Sequence, residues 1–311
     1  MKITPEQFAI MQEQAKHLGF PEMKAAPAGP VANRKTFEDW VDHGFHAEMG
    51  WFSNNLERRM NPKLVFEKAK SVLMLLAPHY RQEVRLAGRN LARYAAGDDY
   101  HDVLKKRLKS LCRLWQENFS GSDYRVYVDS GPIAERYWAE KSGLGWIGKN
   151  GNLIHKREGS YLFLACILTD LELPSGSPHP NHCGSCTACL EACPTQAFVG
   201  PGVVNSNKCI SYLTIEHRGE FKATTTFKDW IFGCDICQEV CPWNRKSSNW
   251  SVLDAFQPRP HYIKLNNTDL KEMSDETFRE TFRKSPIKRT KLEGLKRNLV
   301  MIEHPLGPAA P

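Results

Sequence analysis

The sequence is poor in several features, and each shortage narrows the reading. No apolar run approaches the ~20 residues a membrane helix needs, which excludes a helical membrane anchor. The N-terminus lacks the apolar core of a secretory signal, so the expected compartment is the cytoplasm. In that compartment thiols stay reduced, which excludes disulfides as the reason for ten cysteines. No repeat is longer than the cysteine motif itself. The charge imbalance is moderate, +7, with 41% hydrophobic and 25% charged residues, as in an ordinary soluble globular protein. At 311 residues the chain is too long for a bare electron-carrying ferredoxin, and its length points to two domains.

The pattern along the chain is mixed α/β. Residues 4–19 predict an amphipathic helix. Thr4 is its N-cap, Pro5 its first residue and Gln7 the capping-box partner, with Phe8, Met11, Ala15 and Leu18 on one face and Gly19 at its end. "SVLMLLAP" (71–78), "YRVYVDSGP" (124–132) and "SYLFLACILTD" (160–170) read as strands, and about 36–52, 98–119 and 132–142 as helices. In "KKRLKSLCR" (105–113), Leu104, Leu108, Leu111 and Trp115 face a core while the cations point out. Residues 170–182 are rich in Pro, Ser and Gly and predict a linker or wrapping loop. The remainder is helical and basic, with eight Lys or Arg and two Glu between Arg279 and Arg297; the run fits a solvated face or a phosphate-contact surface. Residues 303–311 read as frayed.

Eight cysteines lie between 183 and 241. Cys183, Cys186, Cys189 and Cys193 form C-x2-C-x2-C-x3-C-P, the bacterial ferredoxin run, in which the fourth cysteine ligates the other cluster. "CDICQEVCP" repeats the pattern without its first ligand, and Cys209 is the remaining candidate. The crossed rule assigns one [4Fe–4S] cluster to Cys183, Cys186, Cys189 and Cys241, and a second to Cys193, Cys209, Cys234 and Cys237. Zinc is the alternative, but a zinc ribbon uses two C-x2-C pairs rather than a triplet followed by x3 and Pro. Cys112, in a helical pattern, and Cys166, in an apolar run, read as buried structural thiols.

Long stretches then carry a family resemblance. "KAKSVLMLLAPHY" (68–80), "GDDYHDVLKKRL" (97–108), "VDSGPIAERYWAEKSGLGWIGKNGNLI" (128–154), "CISYLTIEHRGEF" (209–221) and "GCDICQEVCPWN" (233–244) resemble epoxyqueuosine reductases. That resemblance implies a cobalamin-dependent iron–sulfur enzyme that reduces epoxyqueuosine at the tRNA wobble position to queuosine. It implies an α/β (α+β) cobalamin-binding catalytic domain over 1–175, then a ferredoxin-like domain with two clusters over 176–245, then a short helical C-terminal segment over 246–311. Longer members of that family carry HEAT-type repeats, and residues 289–304 resemble the first repeat helix.

The resemblance also implies site residues. Asp129 takes the place of the proton donor, although its position after a strand also suits a helix N-cap. A donor working near neutral pH calls for a carboxyl raised by burial. Arg59, Lys149, Asn150, Leu153, Ser211, Val240, Pro242 and Trp243 are the expected cobalamin contacts. Cobalamin is expected base-off with no protein ligand on cobalt: "DYHDVL" (99–104) lacks the final Gly of a D-x-H-x-x-G cobalt-binding motif, so His101 reads as a helix-face or cofactor-tail residue. The expected partners are a tRNA anticodon stem-loop and a low-potential electron donor, with the chain acting as a monomer and away from membranes. A reductive dehalogenase on a small substrate and a non-enzymatic iron–sulfur electron carrier are the alternatives. Cobalamin binding separates the carrier from the two enzymes, and a tRNA assay separates the enzymes from each other.

Overall fold

The computed structural model describes residues 1–221, 226–245 and 250–305. At its centre is a four-stranded sheet in the order Glu22–Pro27, Ser71–Pro78, Leu162–Thr169, Tyr124–Tyr127, with every pairing antiparallel. Ser71–Pro78 is buried along its whole length, because both faces of the sheet are covered. Its side chains alternate. Leu73, Leu75 and Ala77 join a core with Phe8, Met11, Leu104, Leu108 and Trp115. Val72, Met74 and Leu76 pack on the opposite side with Trp138, Leu144 and Cys166. The first core comes from helices Pro5–His17 and Tyr100–Asn118, the second from helix Glu135–Lys141 and the loop that follows it. Leu108 is fully buried, so its truncation to Ala costs about 2–5 kcal/mol.

The N-terminal helix has the expected capping box between Thr4 and Gln7. Two expected elements differ. The helix expected over 36–52 runs only from Arg34 to Asp42, because Gly44 turns left-handed (φ 65°) and Ala47 follows at φ 53°. The strand expected over 124–132 stops at Tyr127, since Asp129 is itself left-handed at φ 55°. Strand Glu22–Pro27 was not legible in the sequence. Cys112 and Cys166 are both buried, as expected of structural thiols.

The C-terminal segments do not form separate cores. Trp230–Phe232 pairs in parallel with Arg89–Leu91, and helix Lys291–Glu303 packs over both. The buried Asn298 donates from one amide to Thr214 O (2.8 Å) and Ile231 O (3.0 Å), fixing that helix on the cysteine-bearing segment. Residues 174–183 wrap along the sheet edge, where Gly176 N donates to Ala25 O. Residues 306–311 of the stretch expected to fray lie outside the described residues. Among the described residues no helix is long and apolar enough to cross a membrane.

Candidate active site and cysteine quartets

Asp129 sits just past the end of its strand, in a left-handed conformation that non-glycine residues adopt rarely. It caps no helix, since the next one begins at Glu135 after Ala134. Gly131 closes the turn behind it: a Cβ there would lie 2.2 Å from the Tyr127 ring. The Asp129 carboxylate accepts from the Tyr100 hydroxyl at 2.6 Å and faces His101 Nε2 at 3.4 Å. The other ring nitrogen of His101 meets Asp99 Oδ1 at 2.7 Å. Asp99 is the N-cap of helix Tyr100–Asn118, so one helix start delivers the phenol, the imidazole and its carboxylate together. The Tyr100 ring lies between His101 (4.1 Å) and Phe163 (4.3 Å), stacked on both, which fixes its direction.

The electrostatics of this group differ from a simple buried acid. Burial works to raise the Asp129 carboxyl, but the bonds from His101 and Tyr100 and the charges of His101 and Arg136 hold it below its usual value. Burial works to lower His101, yet its contacts with Asp129 and Asp99 raise it to about 9. Glu135, whose Oε1 accepts the Asp129 backbone N–H at 2.8 Å, is pushed up by burial and then by the Asp129 charge. At neutral pH the proton therefore rests on His101, while Asp129 is the carboxylate that meets solvent. Its side chain is 62% exposed.

The eight clustered cysteines form two groups. Cys183, Cys186, Cys189 and Cys241 line one cavity of about 300 Å³ together with Lys149 and Trp243. Burial pushes the Cys189 thiol up, and its neighbours Cys241, Cys183 and Cys186 add to that. In the second group burial raises Cys234, followed by Cys209 and Cys193. Cys237 is raised by burial and by Cys234 and Cys209, with a smaller contribution from Cys189 across the gap between the groups. The short helices Ala188–Glu191 and Ile236–Glu239 pack together, and each is followed by the Cys-Pro pair that crosses over. Among the described residues no group of three or more His, Cys, Asp or Glu side chains is placed to hold a single metal ion. The first quartet is the outer one, since Gly184, Ser185, Cys186 and Thr187 are all exposed. The second is the inner one: Asp235, beside Cys234, shares a field with Asp129 at the buried Tyr94 phenol.

A family profile described as "4Fe-4S double cluster binding domain" matches residues 182–244, and one described as "Epoxyqueuosine reductase QueG, DUF1730" matches 59–130. An epoxyqueuosine reductase from Cellulophaga algicola is 42% identical over 93% of this chain and 96% of its own length. The chain belongs to the epoxyqueuosine reductase family. A solved epoxyqueuosine reductase holding an epoxyqueuosine-modified tRNA-Tyr stem loop superposes with a TM-score of 0.85 at 28% identity, covering 96% of this chain and 80% of that one. The Bacillus subtilis epoxyqueuosine reductase, with its catalytic aspartate loop swung out of the active site, superposes at 0.86, also at 28% identity, covering 96% and 81%.

The residues that the epoxyqueuosine reductase resemblance marks for the cofactor are spread over the Asp129 wall, the two quartets and the core. Arg59 belongs to the Asp129 cleft: its guanidinium feels Glu135 and Asp129, lies 4.5 Å over the Phe52 ring, and leaves its buried Nε without a partner. Asn150 Nδ2 reaches Cys237 O at 3.4 Å, and Arg136 reaches Gly151 O, so the loop 148–151 joins the Asp129 wall to the inner quartet. Ser211 lies in helix Ile210–Ile215, two residues after Cys209. Lys149, Pro242 and Trp243 line the outer cavity, as Asn150 also does, and Lys149 Nζ donates to Gly184 O and Cys186 O. Val240 is half-buried just before Cys241. Leu153 is buried in the core beside the central sheet. The glycines of 143–154 serve the hairpin: a Cβ on Gly145 would sit 2.2 Å from Ile154 O. Tyr100, Glu135 and Arg136 were missed as site residues. The Asp-Tyr-His start of the helix was the available signal, but only the tertiary fold sets it against Asp129.

Proposed function

We propose that this chain reduces the epoxide of epoxyqueuosine in a tRNA anticodon loop to the alkene of queuosine. Loss of the epoxide oxygen as water consumes two electrons and two protons. The observation that carries this reading is the Asp129 group. An accessible carboxylate is backed by a protonated imidazole and a phenol, on a wall joined through Asn150 to the inner thiols.

The residues present fit the implied cofactors. Four thiols around a cavity suit a cubane, and the buried Trp146 indole N–H, packed with Cys183 and Cys241 and lacking a partner, suits a cluster sulfur as acceptor. The unpartnered Arg59 Nε, the half-exposed Trp51 ring beside it and the exposed Asp129 carboxylate suit a large polar-rimmed ring such as cobalamin. Arg59, Asn150 and Ser211 would hold it. The clusters carry electrons singly, and cobalamin supplies a reducing centre that can attack carbon.

The chain's own part is proton delivery and orientation. Covering the cleft excludes water from Asp129, which raises its carboxyl and draws the proton across from His101 Nε2. Asp129 then passes that proton to the leaving oxygen, Asp99 stabilises the imidazolium until it is spent, and a second proton taken from solvent by the part-exposed His101 follows the same route to release water. Lys105, bound to Ser130 Oγ at 2.9 Å, and Lys288, 3.5 Å from Asp99 Oδ2, place cations on the rim where an RNA backbone would pass. The basic C-terminal run contributes less than its charge count. Arg289 is paired with Glu216, and Arg297 donates to the carbonyls of His217 and Gly219.

The test is anaerobic turnover of an epoxyqueuosine-bearing stem-loop by the chain reconstituted with iron, sulfide and cobalamin. Mass spectrometry should show loss of one oxygen. An unchanged nucleoside, with both clusters and cobalamin bound and reduced, would contradict the proposal.

A further inference from the structure

The outer quartet opens onto a face with a distinctive charge. Lys149, bonded to two carbonyls of the loop that carries Cys186, sets one positive charge on that loop. The following turn presents Lys156 and Arg157, both exposed. Ser160 N fastens this turn to the rim through Asn244 Oδ1 at 2.7 Å, directly after the cavity-lining Trp243. Behind it, Lys24 Nζ is held on Gly143 O at 2.7 Å. His179 lies among Lys24, His155, His182 and Lys156, whose charges add to burial in holding its imidazole below the usual range. The acids here are largely spoken for. Glu22 is shared between His155 (3.0 Å) and Lys24 (3.3 Å), and Glu158 is buried beside Arg81, while the exposed Glu191 keeps its charge.

We propose that this face is the docking surface for the electron donor, and that the donor is a small acidic ferredoxin. Opposite charges speed such encounters by about 10–10³-fold, and the gain falls with ionic strength. One electron leaves the reduced ferredoxin centre and enters the outer cluster. The donor is oxidised by one unit, the cluster is reduced by one unit, and no proton moves. RNA is also acidic, but a nucleotide has no use for an exposed cluster ligand such as Cys186, and the modified base must reach Asp129. The proposal rests on the reading of the outer thiols as a cluster site.

The experiment uses the reconstituted full chain without tRNA. Reduced plant-type [2Fe–2S] ferredoxin is mixed in rapidly, and the bleaching of cluster absorbance near ~400 nm is followed. The rim variant is Lys156→Glu/Arg157→Glu. The control, Lys106→Glu/Lys109→Glu, makes the same charge change on exposed positions of helix Tyr100–Asn118. The rim variant should be reduced about tenfold more slowly at low salt and lose most of its salt dependence, with the control unchanged. Titanium(III) citrate should bleach all three proteins alike. Equal ferredoxin rates in rim variant and control would overturn the proposal, as would a rim variant whose only defect is weaker stem-loop binding. Failure to bleach with titanium would contradict the cluster reading and the proposal with it.

Discussion

The two cysteine quartets share one spacing pattern and occupy opposite settings. Around the outer one, four consecutive residues of the cysteine loop are exposed and the rim is basic. Around the inner one, Cys209 and Cys234 pack with Ile210, Leu213 and Trp230, and Asn150 bridges Cys237 to the loop beside Arg136. The difference assigns a direction. On the proposed function, electrons would enter where a partner can touch and pass inward to the wall that holds Asp129.

The contrast can be broken most severely at its inner end. Asp129→Asn should lower turnover of the epoxyqueuosine stem-loop by about 10²–10⁴-fold while reduction of both clusters proceeds normally, measured by product mass and by cluster bleaching. A loss of cluster reduction would place Asp129 on the electron path instead. A smaller effect is expected one residue further back. His101 carries a folded pKa of about 9 against an ordinary 6.5, so its bonds to Asp129 and Asp99 stabilise the fold fully below about 6.5. That contribution is lost as pH rises through about 9. His101→Gln should flatten this alkaline loss in melting temperature and shift the alkaline limb of turnover. The smallest effect belongs to the outer quartet. Trp146→Phe removes an N–H available to a cluster sulfur, so the outer cluster's midpoint potential should fall, by electrochemical titration, with the inner one unmoved.

How much of this was legible depended on how local the cause was. Ser71–Pro78 announces itself by eight residues that suit a two-faced core, and helix Tyr100–Asn118 by its apolar spacing. Strand Glu22–Pro27 carries two alanines and a proline, weak strand formers, and exists because Ser71–Pro78 offers an edge to pair with. Counting and spacing group Cys183, Cys186 and Cys189 with Cys241, and these four line one cavity. The Asp129 group could not be read this way, because His101 meets it only when two elements pack, and the resulting network reverses the expected carboxyl shift. Within the basic C-terminal run, the fold pairs Arg289 with Glu216 and sets Arg297 on backbone carbonyls, partners that the linear sequence does not show.

The most direct test of the inner and outer assignment is iron release to a water-soluble chelator from Cys193→Ser and Cys241→Ser, each reconstituted with iron and sulfide. Each should retain about half of the wild-type iron. Cys193→Ser should keep the exposed outer cluster and release its iron quickly, and Cys241→Ser should keep the inner cluster and release it slowly. A slowly released cluster in Cys193→Ser, with a quickly released one in Cys241→Ser, would contradict the crossed arrangement.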